Sequence, residues 1–263
     1  MNENKTNINW YPGHMAKTRK QIIDDLKLID VVIELVDARI PVSSRNPDIG
    51  QITKGKKKII ALNKSDLADE NETRKWIDYY KKQGIIAIAT DSNTGKESQN
   101  IIDAAQKLME DEQQKMQEKG RIGRTIRLMI LGIPNVGKSS FINRVLGKKS
   151  LVVGNKPGVT KSKQWMRIND KVDLLDTPGV LWPKFESEEV ALNLAYTGTI
   201  KDDILDKVEV AYQFLKYLLG NYKDNIVQRY GIDKDTVDEI LSQDRPENEN
   251  IYEIMQLIGK KRG

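Results

Sequence analysis

The octapeptide Gly132-Ile133-Pro134-Asn135-Val136-Gly137-Lys138-Ser139 constrains the fold of this chain more than any other segment. Two glycines separated by four residues let the backbone wrap around an anion, with amides and a following helix N-terminus pointing inward. Such a loop works only between the end of a buried strand and the start of a helix. The sequence supplies both: residues 126–131 read as a largely apolar strand, and 140–146 as a helix. At this spacing Lys138 reaches the outer phosphates of a nucleoside triphosphate, and the Ser139 hydroxyl is a ligand for Mg2+. Val136, Gly137 and Ser140 add backbone amides around the phosphates.

The rest of the chain repeats the alternation of strand and helix. Residues 31–36 and 58–62 are largely apolar and rich in β-branched residues, as strands buried on both faces should be. Further strands are expected at 85–89, 164–168 and 172–175, with helices at 71–83 and 99–118. This pattern predicts an α/β fold with a doubly wound, mainly parallel sheet, whose ligands sit at the carboxyl ends of the strands. After Glu186 the strand signal stops. Val208, Tyr212, Leu215 and Leu219, then Val237, Ile240 and Leu241, recur at helical spacing and are expected to form the core of an all-helical domain. The predicted division is 1–185 and 186–263.

Three further motifs fall at strand ends. Asp176-Thr177-Pro178-Gly179 follows the strand at 172–175; Asp176 is a candidate Mg2+ ligand and the Gly179 amide a candidate sensor of the γ-phosphate. Between this motif and the phosphate loop, Thr160 can offer a hydroxyl to Mg2+ when the γ-phosphate is present, or be an ordinary turn threonine. Asn63-Lys64-Ser65-Asp66 ends the strand at 58–62. The Asp66 carboxylate can accept from both guanine N1–H and the 2-amino group, donors that adenine does not present together. Lys64 would lie along the base, Asn63 would tie this loop to the phosphate loop, and the turn Thr90-Asp91-Ser92 would close over the base.

The base-reading motif therefore precedes the phosphate loop, the reverse of the usual order. In this order the chain resembles the circularly permuted GTPases. Trp10-Tyr11-Pro12-Gly13-His14-Met15, Asp37-Ala38-Arg39-Ile40-Pro41, Arg45-Asn46-Pro47 and Pro178-Gly179-Val180-Leu181-Trp182-Pro183 make it similar to the ribosome-biogenesis branch of that family. The resemblance implies a GTP-hydrolysing factor for late assembly of the large ribosomal subunit, stimulated by the ribosomal particle. It also implies a helical C-terminal domain that binds RNA and, in family members, runs beyond Gly263.

Ras-like enzymes orient the attacking water with a glutamine just after Asp-x-x-Gly. Here Val180-Leu181 stand there, so intrinsic hydrolysis is expected to be slow. His14 is the single histidine of the chain. A lone histidine is by itself a surface or packing residue, and only the resemblance implies a catalytic role for it. By the same route Asn135 becomes a candidate for binding K+, while its place in the loop alone assigns it nothing.

Charge bears on the partner. The chain carries a net +5, yet residues 186–250 hold 15 acidic and 7 basic residues, so the remainder carries +13. The basic clusters at 17–20, 54–58, 119–127, 148–149, 161–163 and 260–262 suit a polyanion. Lys17, Arg19, Lys20 and the 54–58 run are the candidate phosphate contacts for ribosomal RNA. No apolar stretch approaches the roughly 20 residues of a membrane span, the polar N-terminus reads as no signal peptide, and there are no cysteines. A cytoplasmic monomer without membrane contact is expected. Two other readings compete: an rRNA-binding module gated by nucleotide, in which turnover is incidental, and a Ras-like regulator. The basic surface and the lack of a lipidation motif argue against the second.

Overall fold

The computed structural model of the chain describes residues 12–95, 97–120, 124–147, 164–177, 187–200 and 206–263, and of residues 12–18 and 164 the backbone only. In chain order these form α1 (Pro12–Leu26), β1 (Val31–Asp37), α2 (Pro47–Ile52), β2 (Lys57–Asn63), α3 (Glu70–Lys82), β3 (Ile86–Thr90), α4 (Ser98–Glu118), β4 (Ile126–Leu131), α5 (Lys138–Val145), β5 (Gln164–Asn169), β6 (Val172–Asp176), α6 (Glu188–Tyr196), α7 (Lys207–Tyr230), α8 (Lys234–Ser242) and α9 (Glu247–Arg262). Two compact units divide the chain, Met1–Val190 and Ala191–Gly263, with the division falling inside α6, a few residues beyond the expected Glu186.

The first unit holds a sheet of strand order β3-β2-β1-β4-β6-β5. Every neighbouring pair is parallel except β5–β6, an antiparallel edge hairpin. The doubly wound, mainly parallel α/β fold read from the sequence is thus the observed one. Because strand residues alternate between faces, Val32, Glu34 and Val36 share one face with their register partners Lys58, Ile60 and Leu62. Ile22, Leu26 and Ile29 of the α1 region and Ile49 of α2 pack on that face against Val32, Met129, Leu131 and Leu175. Tyr80 of α3 covers Val36, Ile60 and Leu62 farther along. On the other face α4 buries Ile101, Ile102, Ala105 and Met109 over the sheet, and α5 buries Phe141 and Ile142. From β1 the chain winds outward through β2 and β3, then returns to β4 on the opposite side of β1. That reversal makes the β1–β4 boundary the switch point at which such sheets open a crevice.

A charge lies mid-strand inside this core. Glu34, in the middle of β1, is 1% exposed, and its carboxylate accepts two hydrogen bonds of 3.0 Å from the Arg45 guanidinium. Lys58 Nζ approaches it to 3.4 Å, and the Arg45 guanidinium lies 5.5 Å from the centre of the Tyr80 ring. The Arg45-Asn46-Pro47 motif therefore builds structure: Arg45 neutralises Glu34, Asn46 caps α2 by accepting from the Asp48 amide, and Pro47 starts the helix.

The second unit packs α7, α8 and α9 around Leu215, Leu219, Ile226, Ile232, Val237, Ile240, Ile251 and Ile254. Tyr212 joins this cluster and stacks on Tyr252 of α9, with ring centres 5.1 Å apart. Val208 does not join: it is 58% exposed. It stands in the first turn of α7, next to the Asp206 cap, and the core begins one turn later. Pro12-Gly13, just before His14, lies in a helix. The segment opens α1, with Pro12 at the start of the helix, where a missing amide donor costs nothing.

Removing the Glu34 carboxylate leaves Arg45 and Lys58 uncompensated in the core. Glu34→Ala is expected to lower the stability of the first unit by about 3 kcal/mol. Urea unfolding checks this, and a loss below about 1 kcal/mol would show that the pair is dispensable.

Candidate functional site

Parallel register collects the motifs along one edge of the sheet. Asn63, at the carboxyl end of β2, is the register partner of Asp37 at the end of β1 and of Thr90 at the end of β3, and Asp176 ends β6 opposite Ile130. Gly132 follows β4 directly, so the phosphate loop emerges at the switch point.

Each glycine of that loop answers to a different neighbour. A Cβ on Gly132 would lie 2.6 Å from the Leu35 carbonyl oxygen of β1, so Gly132 is set by the close approach of the two central strands. Gly137 has φ +100° and caps α5, and a Cβ there would collide with the Asn63 side-chain amide. Asn135 adopts φ 59°, which asparagine tolerates better than most residues. Val136 is buried, whereas Ser139 and Ser140, in the first turn of α5, are half-buried. Lys138 is buried, and its ammonium donates to the carbonyls of Gly132 at 3.0 Å and Ile133 at 2.8 Å. Burial pushes its pKa down to about 8, against a smaller opposing pull from Asp176.

Asn63 joins three loops. Its Nδ2 donates to the Val136 carbonyl at 2.8 Å, and its Oδ1 accepts from the Ser92 amide at 3.1 Å and the Ser92 hydroxyl at 2.7 Å. Asn63 is 2% exposed, so these bonds form away from water. The turn after β3 is further ordered by Asp91, whose carboxylate accepts from the Asn93 amide and from the amide and hydroxyl of Thr94. Arg144 of α5 donates to the Asn93 carbonyl, and its side chain fills the space a Cβ on Gly95 would need. The turn residues divide their work: Thr90 pairs with the Ser98 hydroxyl, while Ser92 is committed to Asn63.

Asp37 was a strand-end residue without a role in the sequence, yet it is 1% exposed and fully engaged. It accepts from the amide, Nε and Nη2 of Arg39 at 3.1, 2.9 and 2.7 Å, and Lys64 Nζ lies 3.0 Å away. Burial alone would raise its pKa; the hydrogen bonds and charges of Arg39 and Lys64 outweigh that and hold it below the ordinary carboxylate range. Asp66 is exposed at the mouth of the same loop and acts on Arg39 through its charge. The signal that could have found Asp37 was an aspartate ending a largely apolar, fully buried strand beside the strand that carries Asn63.

Asp176 is 1% exposed, and Thr177 locks the end of β6 by donating to the Ile130 carbonyl at 2.7 Å. The Ser139 hydroxyl and the Asp176 carboxylate are hard oxygen donors, the chemistry Mg2+ requires, and they flank the buried Lys138. The donor set fits the ion. Thr160 and Gly179 lie outside the described residues. His14 is placed only by its backbone, in the first turn of α1. The lysine run at 54–58 fares differently from expectation. Lys56 donates to the Ile29 carbonyl, Lys57 pairs with Glu112 and the Leu108 carbonyl, and Lys58 faces Glu34. Lysines at the head of a central strand are drawn onto carbonyls and carboxylates around it, which leaves Lys54 as the exposed lysine of the run.

Residues 127–246 match the sequence profile of the 50S ribosome-binding GTPase family. The chain is 48% identical to ribosome biogenesis GTPase A of Priestia megaterium, an alignment covering 97% of this chain and 85% of the relative. Among solved structures, GNP-bound YlqF from Thermotoga maritima superposes with a TM-score of 0.56 at 25% identity, covering 94% of both chains. Its GDP-bound form gives 0.53 at 25% identity, covering 92% of this chain and 95% of that one.

Lys138 makes a pH test available. Its folded pKa of about 8 lies below the ordinary 10.5, so the unfolded chain binds more protons between those values and stability rises with pH across that window. Relative to Lys138→Met, the nucleotide-free protein is expected to gain up to about 3 kcal/mol on going from pH 8 toward pH 10.5. Bound nucleotide, which gives the ammonium an anionic partner, is expected to flatten the difference. Denaturation at several pH values checks both statements.

Proposed function

Because this chain belongs to the ribosome biogenesis GTPase A family, and is therefore a GTPase acting in ribosome assembly, we propose that it couples GTP hydrolysis to a late step in building the large ribosomal subunit, with the particle itself accelerating turnover. The observation that carries the proposal is the joining, through Asn63, of a guanine-type loop, its closing turn and a complete phosphate loop. The 50S ribosome-binding description of the matching profile supports the choice of subunit. Action in the cytoplasm as a monomer is part of the proposal.

In this reading Asp66 accepts from the guanine edge, Lys64 lies along the base, and Ser92 shapes the turn above it. Val136, Gly137, Ser140 and the start of α5 surround the phosphates with amide donors, while Gly179 senses the γ-phosphate. Lys138 exchanges the Gly132 and Ile133 carbonyls for phosphate oxygens, which restores a partner suited to its charge. Ser139, Asp176 and Thr160 would hold Mg2+, which supplies charge neutralisation at the phosphates when bound. Asn135 would hold K+ beside the bond that breaks.

Hydrolysis is in-line attack of water on the γ-phosphorus, with cleavage of the bond to the β–γ bridging oxygen to give GDP and phosphate. With Val180-Leu181 in place of a glutamine, orientation of the water falls to His14 near the head of α1. A residue on a basic N-terminal segment can be brought into register by a bound particle, which accounts for a rate that depends on the ribosome. Arg19, Lys20 and Lys54 are exposed on the GTPase unit, as are Lys260, Lys261 and Arg262 on the helical unit. They are the proposed contacts to ribosomal RNA phosphates. The helical unit is assigned RNA binding in this sense.

Steady-state GTP hydrolysis with and without purified large subunits, in K+ and in Na+ buffer, tests the proposal. Slow intrinsic turnover, stimulation of about tenfold or more by large subunits, and loss of that stimulation in His14→Ala are expected. A rate that large subunits leave unchanged would favour the alternative of a nucleotide-gated RNA-binding module.

A further inference from the structure

The base-reading loop faces a physical problem. Lys64 has φ 60° and ψ 34°, a left-handed conformation that residues with a side chain rarely adopt. Its amine must also hold one position, because a lysine side chain with four rotatable bonds does not lie along a base plane unaided. The backbone around it supplies little restraint on the side chain: the Leu67 amide donates to the Lys64 carbonyl, and a single 3-10 turn, Ser65–Leu67, follows.

The side chain is held from the neighbouring strand. Asp37 ends β1 in direct register with Asn63, and the Ala38 amide donates to the Asn63 carbonyl at 2.8 Å, so the ends of β1 and β2 are locked together immediately before Lys64. The Asp37 amide donates to the Ser44 hydroxyl at 2.9 Å, which fixes the carboxylate's own backbone. With Arg39 engaging both carboxylate oxygens and Lys64 Nζ at 3.0 Å from Oδ2, one buried anion holds two cations. The left-handed turn at Lys64 brings its amine back over the end of β1.

We infer that Asp37 is a positioning residue for base recognition: held by Arg39, it anchors Lys64, so that the lysine of the guanine-reading loop is set before nucleotide arrives. The inference rests on the proposed reading of Asn63–Asp66 as the guanine loop. It concerns a residue that touches neither base nor phosphate, so its signature is a loss specific to the base.

The test measures the affinity of the full chain for GDP, ADP and tripolyphosphate, each with Mg2+, in the wild type and in Asp37→Asn, Lys64→Met, the double variant and Arg39→Gln. A wild type that does not prefer GDP over ADP would overturn the loop reading and this inference together. With that preference present, Asp37→Asn is expected to weaken GDP by about 10- to 100-fold, the range for a hydrogen bond to a charged group. Tripolyphosphate affinity should stay within about twofold, because no base is involved. The double variant should bind GDP no more weakly than Lys64→Met. Arg39→Gln, a change at a half-buried side chain, keeps the test open if Asp37→Asn folds poorly, and is expected to weaken GDP with tripolyphosphate unchanged. Unaltered GDP affinity, an equal loss of tripolyphosphate, or additive losses in the double variant would each overturn the inference.

Discussion

The side-chain amide of Asn63 reaches Val136, 73 residues later in the chain, and Ser92, 29 residues later, and uses both its donor and its acceptor to do so. Buried amide bonds of this kind gain strength from the low local dielectric, and each would leave an unsatisfied group if broken. Much of the site's geometry follows from them. Gly137 has no room for a side chain because Asn63 occupies it, and the turn after β3 is held at the phosphate loop through Ser92. The same residue continues the β1–β2 register that places Asp37 beside Lys64.

This arrangement shows how the reversed motif order still brings the motifs to one edge of the sheet. A parallel sheet gathers the ends of its strands by register, whatever order the chain visits them in. Here β2 and β3 deliver Asn63 and the Ser92 turn first, and β4 and β6 deliver the phosphate loop and Asp176 later. Both groups lie at the carboxyl ends of strands on the two sides of the β1–β4 switch point, where sheets of this kind bind their ligands. What the sheet does not supply is a water-orienting side chain after Asp-x-x-Gly, where the chain carries Val180-Leu181. That gap is the reason turnover is proposed to depend on a partner.

Much of this was legible in the sequence, for physical reasons that apply to some residues and not others. Strands buried on both faces are continuous β-branched runs, so β1, β2 and β4 announced themselves, and the phosphate loop is a local pattern with local geometry. The role of Asp37 was hidden because its partners lie in a loop 27 residues away and in a turn whose side-chain direction depends on φ. The lysines at 56–58 read as a surface patch, because nothing in a charge run distinguishes a free ammonium from one turned onto Ile29, Glu112 or Glu34. Val208 kept the helical period of Tyr212 and Leu215 but fell one turn short of the core, since periodicity gives a face and not the extent of what covers it.

Amide hydrogen exchange on the nucleotide-free protein, wild type against Asn63→Ala, tests most directly whether one side chain holds the three loops together. The account predicts that the Ser92 amide is protected in the wild type without any nucleotide. In the variant, exchange should accelerate together at the 90–95 turn and across residues 136–140. Acceleration confined to Ser92, with the phosphate loop unchanged, would show that the loop is ordered without Asn63 and would contradict the account.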